Sequence, residues 1–599
     1  MPGHSFRIAS CDPIVWRTSI RKPLSMSELE KLKSCSTLPQ LAHLLGIKGE
    51  TLSSVLYWLK PSQKYVHFTV PKKNGTRRLI AAPTDRLKYV QGQLAELLSK
   101  IEAELEGRRT TKYCVLSHGF KKGFSIVTNA DVHRNRRHVF NADLRDFFPS
   151  INFGRVYGFF QKDRNFHLSP KIATIIAQIA CHDNQLPQGS PCSPVISNLI
   201  AHVLDIKLNK IASAGRCSYT RYADDLTFST NEREFPASIA RLVRGSHDKW
   251  VAGDLLLERV YRSGFSLNEA KTRMQHRDSR QDATGLIVNQ KLNVPNEYYK
   301  LARSMCHQLF TDGYCYVGPD RAYVPDAKLE GMLAFIYQIR KIKIENFKAD
   351  QAGFSKLYGR FLDYRSFYGL AQPRIICEGK TDNVYIRSAL KALAVKYPSL
   401  IDPGKKPPLK VDLFNYTKRA ATFQDLSGGS DELKKLINNY ATRTARFKHG
   451  APHPVLVIVD NDAGSVGIFQ MLTKLLGKPI GGLDPFYHVI ENLYVVPIPK
   501  VATPVAIEDL FDPALLARKI DGKDFDRTGK EKDGSKWYGK NEFATKIVAP
   551  ERGTIKFDGF EPLLNAVVDA IQHYEGVKAA AAAKAAALKA AKPAVVAIP

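Results

Sequence analysis

Two adjacent carboxylates, Asp224 and Asp225, sit between the strand-like runs Cys217–Arg221 and Leu226–Ser229. Alternating apolar residues on both sides predict a β-hairpin whose tight turn carries both acids at its tip. Such a tip binds hard cations through oxygen ligands. The chemistry that needs this arrangement is nucleotidyl transfer, in which two Mg²⁺ ions about 3.5–4 Å apart clamp the attacking and leaving oxygens of an in-line displacement. A further acid is then required. Asp143 supplies it, at the end of an apolar run from Phe140 that Pro149 breaks. Alone, an Asp-Asp pair is most often a solvated turn; its companions along the chain argue otherwise here.

Upstream, Asn74-Gly75 lies between two strand-like runs, the strongest short hairpin signal, and gathers Lys72, Lys73, Arg77 and Arg78 around one tip. That is a phosphate clamp in outline, weighed evenly against a solvated basic turn. Gln188-Gly189 removes a side chain where a backbone must approach closely, although an isolated Pro-Gly loop would look the same. Farther on, Arg374–Cys377 predicts a short buried strand ending at Glu378, followed by a helix through Val384 to Lys396. The wholly apolar run Val455–Val459 then delivers Asp460 and Asp462. Apolar strands alternating with helices imply a parallel sheet whose sites lie at the carboxyl ends of the strands, so Glu378, Asp460 and Asp462 should meet at one edge.

Taken in order, the blocks of the first 300 residues resemble a reverse transcriptase. Phe68–Pro83 is similar to that family's fingers hairpin, which implies that Arg78, with Lys72, meets the incoming triphosphate. Pro187–Pro191 resembles its dNTP and template loop, with Gln188 on the base or template side. Gly264–Thr272 resembles its palm motif with a characteristic lysine, here Lys271. Phe148 falls where the family carries an aromatic beneath the sugar, which implies a preference for deoxynucleotides. Asp143, Asp224 and Asp225 are by this resemblance the metal-holding acids. Two marks resemble the retron branch: Asn129-Ala130-Asp131-Val132-His133, similar to Asn-Ala-x-x-His, and Ala283-Thr284-Gly285, where retron enzymes usually carry Val-Thr-Gly. By itself the first mark is weak, and His133 reads equally as a hydrogen-bonded surface residue. Group II intron enzymes share the neighbouring pattern and are the main rival. No maturase-like segment or Cys/His-rich endonuclease follows.

The Glu378 and Asp460/Asp462 blocks resemble the TOPRIM fold. The resemblance implies a Mg²⁺ or Mn²⁺ site in which Glu378 acts as general base or acid. Glu508, Asp509, Lys540 and Lys546 are further candidates near it; for Glu508 and Asp509 the charge of a helix N-terminus is the favoured reading. The expected fold class is multidomain α+β and α/β: a right-hand polymerase followed by a TOPRIM parallel-sheet domain. Expected boundaries are 1–60 helical, 61–300 fingers and palm, 301–370 thumb, 371–575 TOPRIM and 576–599 an Ala/Lys tail. The joint resemblance implies a cognate noncoding RNA, its msDNA product, dNTPs, a nucleic-acid substrate for the second domain and a homo-oligomer. The rival is a reverse transcriptase whose TOPRIM half only binds or oligomerises.

Composition fits polyanion handling. The 599 residues carry a net charge of +30, with 25 Tyr and 30 Phe as stacking faces. Residues 1–370 hold +22 of that charge and residues 371–599 hold +8. The polymerase half therefore carries most of the field. Nine cysteines with no Cys-x-x-Cys and no His cluster at zinc spacing suggest a reducing cytoplasm and no structural zinc. No run approaches the roughly 20 apolar residues of a membrane span, so a cytoplasmic protein with no membrane partner is expected. Other expectations are a capping box at Ser25 and Glu28, an amphipathic thumb helix over 329–342 whose Arg340, Lys341, Lys343 and Lys348 grip an RNA stem or form a solvated face, an exposed loop over 402–408, a mobile loop over 521–540 and a frayed helix from Gly576.

Overall fold

The computed structural model describes residues 26–71, 75–107, 115–341, 351–499, 505–527, 531 and 533–590. Its contacts divide into two compact units that part between Pro295 and Asn296.

The first unit opens with the short helix Glu28–Ser34, whose capping box is made by Ser27 and Glu30 rather than by Ser25 and Glu28. The Glu30 amide donates to Ser27 Oγ (3.3 Å) and the Ser27 amide to Glu30 Oε2 (3.0 Å). Ser25 lies outside the described residues. Strands β1 (Tyr65–Pro71) and β2 (Arg77–Pro83) form the expected antiparallel hairpin, pairing Tyr65 with Pro83 through Pro71 with Arg77. Lys72, Lys73 and Asn74 lie outside the described residues.

The palm-like sheet contains β3 (His138–Asp143), β4 (Ser218–Tyr222), β5 (Asp225–Thr230) and β6 (Arg273–His276), in the order β4-β5-β3-β6 and antiparallel throughout. Phe140 and Phe228 from this sheet share one core with Leu94 and Leu98 of helix Asp85–Gly107 and Leu204 and Leu208 of helix Ser193–Ala214. Between β4 and β5 the turn is Ala223-Asp224, with Ala223 held at φ +55°. A non-glycine residue there costs on the order of 1 kcal/mol, so its surroundings must impose it.

Arg221 supplies that constraint. Its guanidinium is fully buried and forks onto Asp205, Nε to Oδ1 and Nη2 to Oδ2, both at 2.8 Å. Its remaining donor, Nη1, reaches Asn198 Oδ1 (3.2 Å) and the carbonyl of Ala223 (3.1 Å). Gly119 presses against the same turn, where an added Cβ would lie 2.7 Å from the Ala223 nitrogen. Removing one partner of a buried pair leaves an uncompensated charge, so Asp205→Ala should destabilise this unit by about 3–5 kcal/mol. Pulse proteolysis across a urea series measures this; a change below about 1 kcal/mol, the size of a surface pair, would show that the fork contributes little.

The second unit is built on a five-stranded sheet of β7 (Arg374–Ile376), β8 (Asp412–Leu413), β9 (Val455–Val459), β10 (Tyr487–Ile490) and β11 (Leu493–Pro497), in the order β8-β7-β9-β11-β10. All neighbours run parallel except β10 against β11. Both faces are covered. Leu456, Ile458, Tyr494 and Val496 enter one core, and Val455, Val457, Val459, Leu493 and Val495 enter another. That explains why β9 is apolar at every position.

Several sequence expectations are corrected in this unit. The helix after Glu378 runs Asp382–Ala392 and stops short of Lys396. The 521–540 segment is not simply a mobile loop, because Phe525 and Tyr538 are buried and stack with each other, and Phe525 stacks on Phe543. The last helix does not begin near Gly576 but spans Glu561–Ala590, its first half anchored by buried Leu563, Leu564, Val567 and Ala570. The helix expected over 329–342 is Asp326–Arg340, and Arg340 lies 4.5 Å over the Tyr299 ring. Arg340 is half-buried, its guanidinium stacked on protein rings. Lys343 and Lys348 lie outside the described residues.

Candidate active sites

In the first unit, strand pairing places Asp143 directly opposite Asp225. Asp224 follows from the turn, and its carbonyl accepts from the Leu144 amide at 2.9 Å. The Asp143 carbonyl accepts from Asn268 (2.7 Å), which brings in the segment carrying Lys271. Lys271 Nζ then donates to Asp143 Oδ2 at 2.8 Å. The three acids and Lys271 expected from the sequence are therefore neighbours. Burial, then Asp143, holds the Asp224 carboxyl above its usual range, while Lys271 and Arg78 act in the opposite sense. Arg78 is thus within electrostatic range of Asp224. Asp225 is exposed as a residue, yet desolvation by the surrounding protein, followed by Asp224 and Asp143, pushes its carboxyl up to about 7.

The loop around Gln188 is joined to the β1–β2 hairpin by a main-chain hydrogen bond, with the Ile80 side chain packed nearby. The Ala81 amide donates to the Gln188 carbonyl at 2.9 Å, and a Cβ on Gly189 would lie 2.5 Å from the Ala81 oxygen. Gly189 also has φ +134°. Phe148 is half-buried, in a T-shaped pair with Phe147 and 6.0 Å from Phe120. Phe120, half-exposed at φ +62°, was not singled out by the sequence reading, and nothing in its local pattern marks it.

The two retron marks come together. His133 is fully buried rather than a surface residue, with Nδ1 2.7 Å from Ser229 Oγ and Nε2 2.7 Å from Thr220 Oγ1. Burial pushes its pKa down to about 3, so the ring is neutral. Asn129 is buried on the helix Ile126–Val132 that leads to it. Thr284 and Gly285 have φ +47° and +80° and turn the chain between Ala283 and Leu286, and Thr284 Oγ1 donates to the Ile126 carbonyl of that helix at 3.0 Å.

A family described as "Reverse transcriptase (RNA-dependent DNA polymerase)" matches residues 70–296. The chain is 32% identical over 279 residues to the Retron Ec86 reverse transcriptase of Escherichia coli, covering 46% of this chain and 78% of that one. The chain belongs to the retron reverse transcriptases. The Retron Mx162 reverse transcriptase of Myxococcus xanthus is 31% identical over 370 residues, covering 57% of this chain and 71% of its own. A solved telomerase from Candida albicans, in complex with a fragment of telomeric RNA, aligns with 50% of this chain and 60% of its own at 10% identity and a TM-score of 0.27, too low to carry an argument. This retron reverse transcriptase has RNA-directed DNA polymerase activity, chemistry its family performs with divalent metal, typically Mg²⁺. No helix among the described residues is long and apolar enough to cross a membrane.

The second unit of the retron enzyme holds a second acid cluster. Glu378 follows β7 and Asp460 follows the adjacent parallel β9. The Ile507 amide donates to Asp460 Oδ1 at 3.1 Å, and Asp462 Oδ1 accepts from the Gly464 amide at 2.9 Å. Glu378 Oε2 is buried and makes no hydrogen bond. Desolvation, then Asp462 and Asp382, hold the Glu378 carboxyl above its usual range. Desolvation, then Glu378, Asp382 and Glu508, push Asp460 up to about 8. Glu508 is fully buried and pairs with Lys540 Nζ at 3.0 Å, so it belongs to this cluster and not to a helix terminus. Asp509 does fit the terminal reading, since its Oδ2 accepts from the Ala506 amide at 2.9 Å, and it pairs with Arg527. Lys546 pairs with Glu542 one helical turn away. Asp382, accepting from the Gly379 amide at 2.7 Å, was missed as a site residue although its position in Glu378-Gly379-Lys380-Thr381-Asp382 was in view.

An orphaned Glu378 oxygen among mutually repelling carboxylates suits a divalent cation, as does the Asp143–Asp225 pair. Neither acid trio, however, brings three ligand atoms within 4.8 Å of one another. Lys271 instead holds the Asp143 carboxylate. Because Asp225 and Asp460 titrate above their unfolded values in the folded protein, the fold binds extra protons between about pH 4 and about 7 and 8. Their effect is least unfavourable below that window and grows more so as pH rises through it. A metal needs the ionised forms, so its binding releases protons. Added Mg²⁺ should therefore raise Tm more at about pH 8 than at about pH 6, with a smaller increment in Asp225→Asn or Asp460→Asn. Differential scanning fluorimetry reads this; an increment independent of pH would contradict it.

Proposed function

We propose that this retron reverse transcriptase binds a cognate structured noncoding RNA, starts from a guanosine 2′-OH and copies part of that RNA into DNA that stays branched to it. The observation that carries the reading is the Asp143–Asp225 register beside Asp224, with Lys271 bonded to Asp143 and Arg78 within electrostatic range of Asp224. Bound Mg²⁺ would activate the attacking hydroxyl and neutralise the leaving pyrophosphate. The chain's own residues do the remaining work. Asp143, Asp224 and Asp225 hold the cations. Arg78, with Lys72, orients the triphosphate, and Lys271 supplies positive charge beside Asp143. The Phe148 ring excludes a ribose 2′-OH, and Gln188 lines the base or template side.

The second unit is a TOPRIM domain in this reading and acts as a metal-dependent nuclease. Supporting it are acids delivered from adjacent parallel strands, their raised proton affinities and Lys540 beside Glu508. Glu378, Asp460 and Asp462 hold Mg²⁺ or Mn²⁺, and Glu378 serves as the proton-transferring group. Lys540 offers charge to a phosphoryl transition state. The RNA–DNA product stays bound and holds this nuclease quiet until phage infection disturbs the complex. The alternative assigns the second unit to binding or oligomerisation.

Sequencing nucleic acid copurified with the protein should reveal DNA covalently branched from RNA, absent in Asp225→Asn; free, primer-extended DNA would overturn the branched product. Glu378→Gln should abolish cellular toxicity while leaving the DNA product unchanged. Toxicity that persists in Glu378→Gln would favour the non-catalytic alternative.

A further inference from the structure

Apart from the residues of the two acid clusters, His67 on β1 and His182 and Asp183, which follow helix Pro170–Ala180, bring three ligand atoms within 4.8 Å of one another. No other group of His, Cys, Asp or Glu among the described residues does so. We propose that this trio binds a transition-metal dication of the zinc class and thereby pins the β1–β2 hairpin to the His182–Gln185 turn.

The closest ligand pair already has the separation such an ion requires, and the third atom lies within 4.8 Å of both. His182 Nε2 lies 3.3 Å from Asp183 Oδ2. Zinc bonds of about 2.0–2.2 Å in tetrahedral geometry separate neighbouring ligand atoms by roughly 3.3–3.5 Å. His182 Nε2 is buried and, although Asp183 Oδ2 is an ion-pair partner, it makes no hydrogen bond of proper geometry, so its lone pair is left for a further ligand. The ring is also held in place, stacked on Tyr65 with centroids 4.1 Å apart. Its pKa is lowered, chiefly by burial, with His67 and Lys64 acting in the same sense and Asp183 opposing them. The imidazole is thereby kept in the neutral form that ligates metal. Lys64 itself is occupied, its Nζ donating to the Leu56 carbonyl at 3.1 Å.

The turn is shaped for the task. Asp183 and Asn184 have φ +46° and +59°, and the His182 and Gln185 amides and carbonyls are exchanged at 2.9 and 3.0 Å. This left-handed pair projects Asp183 from a turn closed by its own hydrogen bonds. His67 and Asp183 are exposed, which leaves room for a water in the remaining position. Two imidazoles and one carboxylate select zinc, cobalt or nickel over Mg²⁺, which prefers oxygen ligands. The trio is therefore chemically distinct from both acid clusters. Spacing rules could not reveal it, because His67 and His182 are brought together only by the fold.

A metal here would act on the polymerase through the hairpin. His67 pairs across the strands with Ala81, and the Ala81 amide donates to Gln188 at 2.9 Å. An occupied site would give the hairpin that carries Arg78 a second anchor.

The test uses the full chain, stripped by chelator and titrated with Co²⁺ under visible absorption, then with Zn²⁺ in competition. One equivalent of Co²⁺ per chain is expected to develop the intense bands of a four-coordinate nitrogen–oxygen site, displaced by one equivalent of Zn²⁺, whereas Co²⁺ held by the acid clusters gives only the weak bands of six-coordinate oxygen sites. His67→Gln and Asp183→Asn, both at exposed positions, should each weaken Zn²⁺ binding by at least about tenfold and erase the Zn²⁺-dependent rise in Tm. Asp225→Asn/Glu378→Gln should retain both signals. The proposal is overturned if the wild-type chain shows no stoichiometric band, or if band and Tm shift survive in His67→Gln and Asp183→Asn.

Discussion

The acid-bearing turn of the first unit depends on one buried ion pair. Arg221 and Asp205 are both out of reach of water, and the spare donor of the guanidinium is spent on the Ala223 carbonyl of the turn that carries Asp224. Tyr219 adds a hydroxyl donor to the same carboxylate at 2.8 Å, and Asn198 links the guanidinium to the helix that follows the Gln188 loop. A left-handed alanine is thereby imposed from behind. The acids in front repel one another, so the rigidity that keeps them together has to come from elsewhere.

The second unit solves the same electrostatic problem through sheet topology. Neighbouring parallel strands end side by side, and their last residues converge without any single side chain acting as a strut. With apolar cores on both faces, β7 and β9 are poorly free to shift, and the charged ends bear the strain. The raised proton affinities of Glu378 and Asp460 and the unpaired Glu378 oxygen are the visible result.

Much of this was legible in the chain because it is written locally. Asp224-Asp225 between alternating residues, Asn74-Gly75 between strand-like runs and the apolar stretch before Asp460 each state an element and its end. Less legible were features that depend on partners distant in sequence. Glu508 looks like a helix-terminal acid until Lys540 is placed against it. Arg340 reads as a free basic charge until Tyr299 lies beneath it. His133 resembles a surface histidine until Ser229 and Thr220 enclose it. The Ala/Lys stretch after Gly576 has a composition of its own, yet it continues a helix begun by Glu561 on the core.

The joint between Ala81 and Gln188-Gly189 is made of peptide groups, with no room for a methyl group. Its hydrogen bond is therefore independent of side-chain chemistry, and of the hairpin's side chains the Ile80 methyl packs closest to Gly189. The β1–β2 hairpin and the Gln188 loop can diversify at their outward side chains while their mutual spacing stays the same, provided that position 189 keeps its hydrogen in place of a carbon.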